Sequence, residues 1–276
     1  MPSKKSKQKT YLHGFSSVEQ DRLYKQARFL EDEVFKNIDF SRAGKILEVG
    51  CGVGAQTEIL LERFPHLTIQ GIDLSEKQVK QAQKRLEKPI RKGKVLLDVG
   101  NASKLPYRGN SFDGAFCSWF LEHVQDPVGI LKEIKRVLRP GSTLYCAAEP
   151  MNATFFVHPY SPATLQVWFA ENDYQWELKG DPFSGAKLAN FLLEAGYQNI
   201  STEVKVDHFD NRTPKKRAEN IEYWTDLLLS AAPDVVKAGK VTTTEIKKMK
   251  EELHKLKDDP DAVFFICWVQ AKAQAF

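Results

Sequence analysis

The sequence lacks the features of a membrane-embedded or secreted protein. It contains no uninterrupted apolar run of about 20 residues, the length needed to span a bilayer, and no hydrophobic stretch of a signal peptide follows the lysine-rich start. Its cysteines are few and far apart (Cys51, Cys117, Cys146 and Cys267), and no two form a Cys-x-x-Cys pair. We therefore expect a soluble, cytoplasmic protein with reduced cysteines, no membrane partner and no metal site.

A strong charge of either sign is also missing. The formal net charge is +4, and four lysines among the first nine residues account for this excess. A nucleic-acid-binding face would need basic residues clustered on the folded body with aromatics among them. The charge distribution therefore does not favour a nucleic-acid partner, and 276 residues suit one large domain, with or without an insertion. The sequence assigns no oligomeric state.

The hydrophobic pattern alternates between a period of two and a period of 3.6 residues. It predicts strands at residues 45–49, 68–73, 94–99, 112–118, 143–148, 200–206 and 262–269, and helices at residues 55–64, 76–86, 127–138 and 185–195. Such alternation predicts an α/β fold, a doubly wound and mostly parallel seven-stranded sheet with helices on both faces. An N-terminal helix is predicted from the capping-box pattern Ser17-x-x-Gln20 and from apolar residues spaced by three or four from Leu23 to Ile38.

The most informative stretch is an apolar strand, Ile46 to Val49, that runs directly into three alternate glycines and then a helix. Glycine is needed where a backbone turns tightly against a ligand, so Gly50, Gly52 and Gly54 mark a binding loop. Nineteen residues after Gly54, the second strand ends at Asp73, whose carboxylate can accept hydrogen bonds from ribose hydroxyls. The pattern predicts an adenosine site, and a nicotinamide dinucleotide remains an alternative because Gly50-x-Gly52-x-x-Ala55 also fits its motif.

Two later motifs extend the pattern. The first covers residues 111–124, where Ser111-Phe112-Asp113 is followed by a predicted strand and the start of a helix. The second covers residues 131–141, a predicted helix that ends in a Pro-Gly turn at Gly141. With Glu48, the glycines and Asp73, these motifs over residues 44–206 resemble the class I S-adenosylmethionine-dependent methyltransferases, in the small-molecule branch that includes ubiquinone and menaquinone biosynthesis enzymes. The resemblance implies S-adenosylmethionine as cofactor and direct in-line transfer of its methyl group to a nitrogen, sulfur or oxygen of a small molecule.

The resemblance also implies site residues. Expected at the cofactor are Tyr11, Glu48, Gly50, Cys51, Gly52, Gly54, Gln56, Asp73, Leu74, Asn101, Ala102, Ser118, Trp119 and His123. Asn101 stands where the family usually has an acid, and its amide oxygen can still accept a hydrogen bond from the adenine amino group. Candidate bases for the acceptor are His13, His123 and His158, because histidine takes a proton near neutrality. Candidate substrate contacts are Phe15, Glu149, Phe155, Tyr160 and Trp176.

These assignments divide the chain into six expected segments. They are a basic, flexible tail and cofactor-covering segment (1–15), the S-adenosylmethionine-binding core (16–150), an aromatic lid insertion (151–183), a continuation of the core (184–206), a helical insertion (207–261) and a last core strand with the C-terminus (262–276).

Three alternatives stay open at this point. A protein or nucleic-acid methyltransferase would use the same cofactor domain, although Ser118 to Leu121 stands where amine methylases of nucleic acids carry an Asn/Asp-Pro-Pro-Tyr/Phe run. A dehydrogenase would bind its dinucleotide at the same loop. A non-catalytic binder of S-adenosylmethionine is the third, because methyl transfer rests on geometry rather than on one diagnostic residue.

Overall fold

A computed structural model describes residues 12–276. In this range one seven-stranded sheet has the strand order β3-β2-β1-β4-β5-β7-β6. The strands are β1 (Lys45–Val49), β2 (Thr68–Asp73), β3 (Val95–Val99), β4 (Phe112–Cys117), β5 (Leu138–His158), β6 (Gln198–Phe209) and β7 (Val263–Gln274). Strands β1 to β5 pair in parallel, and β7 runs antiparallel to both of its neighbours. The predicted α/β fold with a mostly parallel seven-stranded sheet is confirmed.

Helices cover both faces of the sheet. They are α1 (Ser17–Phe29), α2 (Glu31–Phe35), α3 (Ala55–Arg63), α4 (Glu76–Arg85), α5 (Glu87–Arg91), α6 (Pro127–Val137), α7 (Pro162–Glu177), α8 (Ser184–Glu194), α9 (Pro214–Lys237) and α10 (Thr243–Asp258), with a 3₁₀ turn at Leu121–His123. Local sequence explains several starts: Ser75 and Asp126 cap α4 and α6 by accepting hydrogen bonds from backbone N–H groups in the first turn. Pro127, at the first position of α6, has no N–H to leave unsatisfied.

The N-terminal helix differs from the prediction in two ways. Ser16, not Ser17, caps it, because Ser16 has the extended backbone of a capping residue and its Oγ accepts from the Glu19 nitrogen at 3.1 Å. The helix ends at Phe29, and α2 continues the apolar pattern as a separate element after Leu30.

Strands β5 and β7 extend well beyond their predicted ends at residues 148 and 269. Their antiparallel ladder continues from Thr143 and Gln274 to His158 and Val263, with irregularities beside Glu149 and between Met151 and Phe156. A strand with a partner on its edge can pass through polar residues that interrupt the alternating pattern. The first part of the aromatic segment is therefore sheet.

Helices α7, α9 and α10 surround a hydrophobic cluster of their own beyond this extension. Val167, Trp168, Leu228 and Leu253 are buried in it together with Phe264 of β7. Residues of α7 and α9 line a cavity at the end of the sheet where strands β1, β2 and β4 terminate, so these two helices lie over the carboxyl ends at which α/β proteins bind ligands.

Two negative findings apply to residues 12–276. No helix in this range is both long and apolar enough to cross a membrane. No three of its His, Cys, Asp and Glu side chains are grouped so that they could hold a metal ion.

Candidate active site

The three loop glycines all have left-handed backbones, with φ of 75° at Gly50, 49° at Gly52 and 77° at Gly54. They differ in what surrounds them. A Cβ at Gly50 would lie 2.6 Å from Cδ2 of Phe120, and one at Gly54 would lie 2.7 Å from Cδ1 of Leu86, whereas a Cβ at Gly52 would meet nothing within 4 Å. Gly50 and Gly54 are therefore required by packing, and Gly52 is the glycine that borders open space.

Asp73, the last residue of β2, is joined to this loop. Its Oδ2 accepts from the Gly52 nitrogen at 2.9 Å, and its Oδ1 accepts from the Ser75 nitrogen at 2.8 Å. Burial raises the pKa of Asp73, while the two backbone N–H groups favour the charged form and act against that rise. The carboxylate is thus held beside Gly52 of the glycine loop.

A cavity of about 560 Å³ opens at this end of the sheet, a volume in the range of small-molecule sites. One end of it is the glycine loop. Most of the residues predicted to bind the cofactor line the cavity: Gly50, Cys51, Gly52, Gln56, Asp73, Leu74, Asn101, Ala102, Ser118, Trp119 and His123. Residues at the ends of four strands, β1 to β4, are therefore brought to one space.

Three predicted cofactor residues are placed differently. Glu48 lies beneath the loop, where burial raises its pKa to about 8 and its Oε2 accepts from Thr57 Oγ1 at 2.6 Å. Gly54 faces Leu86 rather than the cavity. Tyr11 lies outside the described residues. Contact of Glu48, Gly54 and Tyr11 with the cofactor stays a prediction.

The motif residue Asp113 has a structural role. Its Oδ2 accepts from the nitrogens of Gly44 and Lys45, at 3.0 and 2.8 Å, and its other oxygen pairs with Arg139. These bonds tie the start of β1 to β4 at the end of the sheet opposite the cavity.

Two of the three candidate bases line the cavity. His13 Nδ1 lies 2.8 Å from Ser230 Oγ, and the Ser230 hydroxyl donates to the carbonyl oxygen of Leu227 at 2.7 Å. A hydroxyl has one proton, so with the Ser230 proton directed to Leu227 we assign the His13 proton to Nδ1 and the lone pair to Nε2. Burial, and then the charges of Arg22 and His123, hold the pKa of His13 well below its ordinary value.

His123 also lines the cavity, with its Nε2 3.6 Å from Oε1 of Glu122. His158 does not, because it is exposed at the end of β5 opposite Val263. The sequence placed all three histidines in loops or strand ends, and only the tertiary structure separates them.

Of the five predicted substrate contacts, Phe15 alone lines the cavity. Phe155 is buried in the hydrophobic cluster of α7, α9 and α10 and stacks on Trp168, with ring centroids 4.4 Å apart. Tyr160 and Trp176 are on the surface, 77% and 44% exposed. The helical period of α7 explains the last case, because it turns Trp168 inward and Trp176 outward.

Glu149 is the fifth predicted contact, and the structure places it beneath the cavity as an anchor. Its carboxylate accepts hydrogen bonds from the backbone nitrogens of Phe120, Leu121 and Glu122 at 3.2, 2.9 and 3.1 Å, and from Ser184 Oγ at 3.0 Å. It thereby holds the loop after β4, which carries His123, against β5 and α8.

Sequence reasoning missed a set of residues that line the other end of the cavity. They are Arg22, Glu122, Trp168, Glu171, Asn172, Gln175, Asp207, Tyr223, Trp224 and Trp268. A signal for part of this set exists: Trp168, Glu171, Asn172 and Gln175 follow the spacing i, i+3, i+4, i+7 of one helical face. The prediction relied on the aromatic residues of the segment and did not consider the polar residues at this spacing.

Comparison with known proteins agrees with this geometry. Residues 47–146 match the family described as "Methyltransferase domain". O-methyltransferase resE of Aspergillus sclerotiorum is 36% identical over 198 residues, which cover 69% of each chain. The chain belongs to the class I S-adenosylmethionine-dependent methyltransferases.

Further relatives of the enzyme agree with this assignment. The 27-O-demethylrifamycin SV methyltransferase of Amycolatopsis mediterranei is 30% identical over 213 residues, covering 76% of this enzyme and 74% of that one. The chain spans about half the length of some other curated relatives, which match over 45% and 52% of their own length. The predicted family, its small-molecule branch and S-adenosylmethionine as cofactor are confirmed, and the dehydrogenase alternative is set aside.

Among solved structures, the geranyl diphosphate C-methyltransferase of Streptomyces coelicolor A3(2) has a TM-score of 0.52. It is 15% identical, and the match covers 91% of this enzyme and 79% of that chain. At this identity the likeness supports the fold.

Proposed function

We propose that this methyltransferase transfers the methyl group of S-adenosylmethionine to a hydroxyl oxygen of a small, largely apolar molecule. The observation that carries the proposal is the continuity of the cavity, which joins the Gly52 and Asp73 loop to a chamber lined by His13, His123 and tryptophans. One space can therefore receive both the cofactor and an acceptor.

The loop residues fit the cofactor. The open space at Gly52 lets a ligand approach the backbone, the Asp73 carboxylate suits ribose hydroxyls, and Leu74 is 56% exposed beside it, as a surface for a flat base. When bound there, S-adenosylmethionine supplies an activated methyl group on a sulfonium. The enzyme's task is then to align the acceptor and exclude water.

Two contacts join the N-terminal part of the described chain to α9. Phe29 of α1 stacks on Tyr223 of α9 with ring centroids 5.2 Å apart, and His13 bonds to Ser230 of α9. The N-terminal segment and the helical insertion thus meet over the cavity.

An oxygen acceptor is supported by the histidines. A hydroxyl carries its proton at neutral pH and needs a base, whereas a neutral amine or a thiolate needs little help. His13, with its lone pair on Nε2, suits that role, and His123 beside Glu122 is the second candidate. Several curated relatives are named O-methyltransferases, which also supports oxygen.

The test has two stages. Calorimetric titration with S-adenosylmethionine, S-adenosylhomocysteine and NAD should show binding of the two sulfur compounds and none of NAD. A screen of matched phenol, amine and thiol acceptors should then release S-adenosylhomocysteine from phenols. Turnover confined to amines or thiols would contradict the proposal for oxygen.

A further inference from the structure

On helices α7 and α9, three buried polar atoms of cavity-lining residues have no hydrogen-bond partner among residues 12–276. They are Oε1 of Glu171 and Nδ2 of Asn172 on α7, and Nε1 of Trp224 on α9. These side chains are 3%, 4% and 8% exposed, and all three line the cavity. An unsatisfied buried polar group costs about 1–3 kcal/mol, so three of them around one space indicate a ligand that completes them.

The inward face of α7 is polar where a packed helix is normally apolar. Trp168, Glu171, Asn172 and Gln175 form that face, and all four line the cavity. Trp168 also packs in the hydrophobic cluster, whereas Glu171, Asn172 and Gln175 present polar groups to the cavity.

Hydrogen bonds fix the orientation of this face. Trp168 Nε1 donates to the Asn152 carbonyl oxygen at 3.0 Å, and Asn152 Nδ2 donates to Asn172 Oδ1 at 2.8 Å. The Asn172 oxygen is thus engaged, and its Nδ2 is the atom without a partner. Gln175 Nε2 donates to Glu122 Oε2 at 2.9 Å and anchors the end of the same face.

The chamber has an excess of acidic groups. Glu122, Glu171 and Asp207 line it, and burial raises the pKa of each. Arg22 also lines it, but its guanidinium already holds both carboxylate oxygens of Glu19 at 2.7 Å. A carboxylate or phosphate acceptor would therefore meet three carboxyl groups, while the Arg22 guanidinium is already paired with Glu19.

We propose that Glu171, Asn172 and Trp224 form the subsite that selects the acceptor, and that it takes a neutral aromatic molecule with at least two oxygen substituents, one of them a hydroxyl. The hydroxyl donates to Glu171, and a second oxygen accepts from Asn172 Nδ2 and Trp224 Nε1. An amine could donate a hydrogen bond to Glu171 but would leave Asn172 Nδ2 and Trp224 Nε1 without an acceptor. The ring packs among Trp168 and Trp224, whose own rings meet edge to face at 5.4 Å. This inference rests on the proposed function, since it names the acceptor class of the same cavity.

The test uses four naphthalenes of one shape with the full-length enzyme saturated with S-adenosylhomocysteine. The probes are 2,3-dihydroxynaphthalene, 2,3-dimethoxynaphthalene, 2,3-diaminonaphthalene and 3-hydroxynaphthalene-2-carboxylate, each titrated by calorimetry. We expect the diol to bind at least about tenfold more tightly than the other three, since each of them lacks a donor, an acceptor or neutrality. Equal binding of the diamine or the carboxylate, or no binding of the diol, would overturn the proposed class.

Variants separate recognition from a structural role. Glu171→Leu and Asn172→Leu should each weaken diol binding about three- to tenfold. Glu171→Leu should also raise the Tm of the free enzyme, because it removes an unsatisfied buried group, whereas Asn172→Leu also removes the acceptor of Asn152 Nδ2. The control Asp173→Leu, on the exposed side of α7, should leave diol affinity unchanged. Unchanged diol affinity in both α7 variants, or a lowered Tm with unchanged affinity, would refute the subsite.

The cofactor measurements keep the two proposals apart. S-Adenosylhomocysteine should bind wild type and all variants equally, because we expect it at the glycine loop and Asp73, whereas the variants change α7. If phenols are methylated and the α7 variants behave as wild type, the subsite is wrong and the proposed function stands. If the enzyme turns over only amines or thiols, the proposed function fails whatever the diol result.

Discussion

The backbone nitrogen of Gly52 donates to Oδ2 of Asp73 across 2.9 Å, so the glycine loop and the end of β2 are joined at the point where the cofactor's ribose is expected. A Cβ at Gly52 would lie in open space. The same two residues thus offer a carboxylate and an unobstructed backbone.

Asp73→Ala should weaken binding of S-adenosylmethionine about tenfold to a hundredfold, because a hydrogen bond to a charged group is worth roughly 1.5–3 kcal/mol. Calorimetric titration measures it. Asp98→Ala, at the exposed end of the neighbouring strand β3, is the matched control and should bind as wild type. Normal affinity of the Asp73 variant would contradict the assigned ribose site.

Gly52→Ala and Gly54→Ala should separate binding from folding. Both place a side chain at positive φ, which costs about 1–2 kcal/mol, but only the Gly54 variant also drives a Cβ into Leu86. Urea unfolding should therefore show the larger loss of stability for Gly54→Ala. Gly52→Ala should lose cofactor affinity beyond its loss of stability, and equal affinity losses would refute this division.

Glu149→Leu should destabilise the fold by on the order of 3–5 kcal/mol, because it leaves three backbone N–H groups of the loop after β4 without their buried acceptor. Scanning calorimetry should show a large fall in Tm. Glu194→Leu, on the exposed side of α8, should change stability by less than about 0.5 kcal/mol. A mild effect at Glu149 would mean that this anchor is dispensable.

Stability should depend on pH through Glu122. Burial raises the pKa of Glu122 from 4.5 to about 7, so between these values the folded state holds a proton that the unfolded state has released. Its contribution is complete below pH 4.5 and is lost as the pH rises to about 7, a fall of about 1.4 kcal/mol per pH unit. Glu122→Gln should remove this part of the slope in urea unfolding at pH 5, 6 and 7, and parallel slopes would disprove it.

His13→Gln should lower kcat for a phenol acceptor about a hundredfold, within the range for loss of a general base. Ser230→Ala should lower it less, because it removes only the hydrogen bond that places the proton on Nδ1. His158→Gln, at an exposed position, should retain kcat. Affinity for S-adenosylhomocysteine should stay constant throughout, and full activity of the His13 variant would leave His123 as the candidate.

Local sequence motifs predicted the end of the cavity that contains the glycine loop and Asp73. Alternate glycines after an apolar strand, and an acid at the end of the next strand, have one geometry in a parallel sheet, so Gly52 and Asp73 could be placed by sequence. The same patterns predicted the fold and, to within one residue, the limits of α3, α4, α6 and α8, because parallel strands buried on both faces and capped helices have clear local signals.

Tertiary packing decided which side chains line the other end of the cavity, at α7 and α9. Glu149 lies within β5 and Glu122 follows β4, at the same end of the sheet. Glu149 faces backbone N–H groups and Glu122 faces the cavity, and nothing in the residue types separates them. Similarly, α7 turns Glu171 and Asn172 inward and Trp176 outward, against the usual burial of aromatics. The sequence by itself determined the glycine loop and its acid, because that geometry is local. Only the tertiary structure decided the chamber, because the direction of each side chain there depends on how α1, α7 and α9 pack over the sheet.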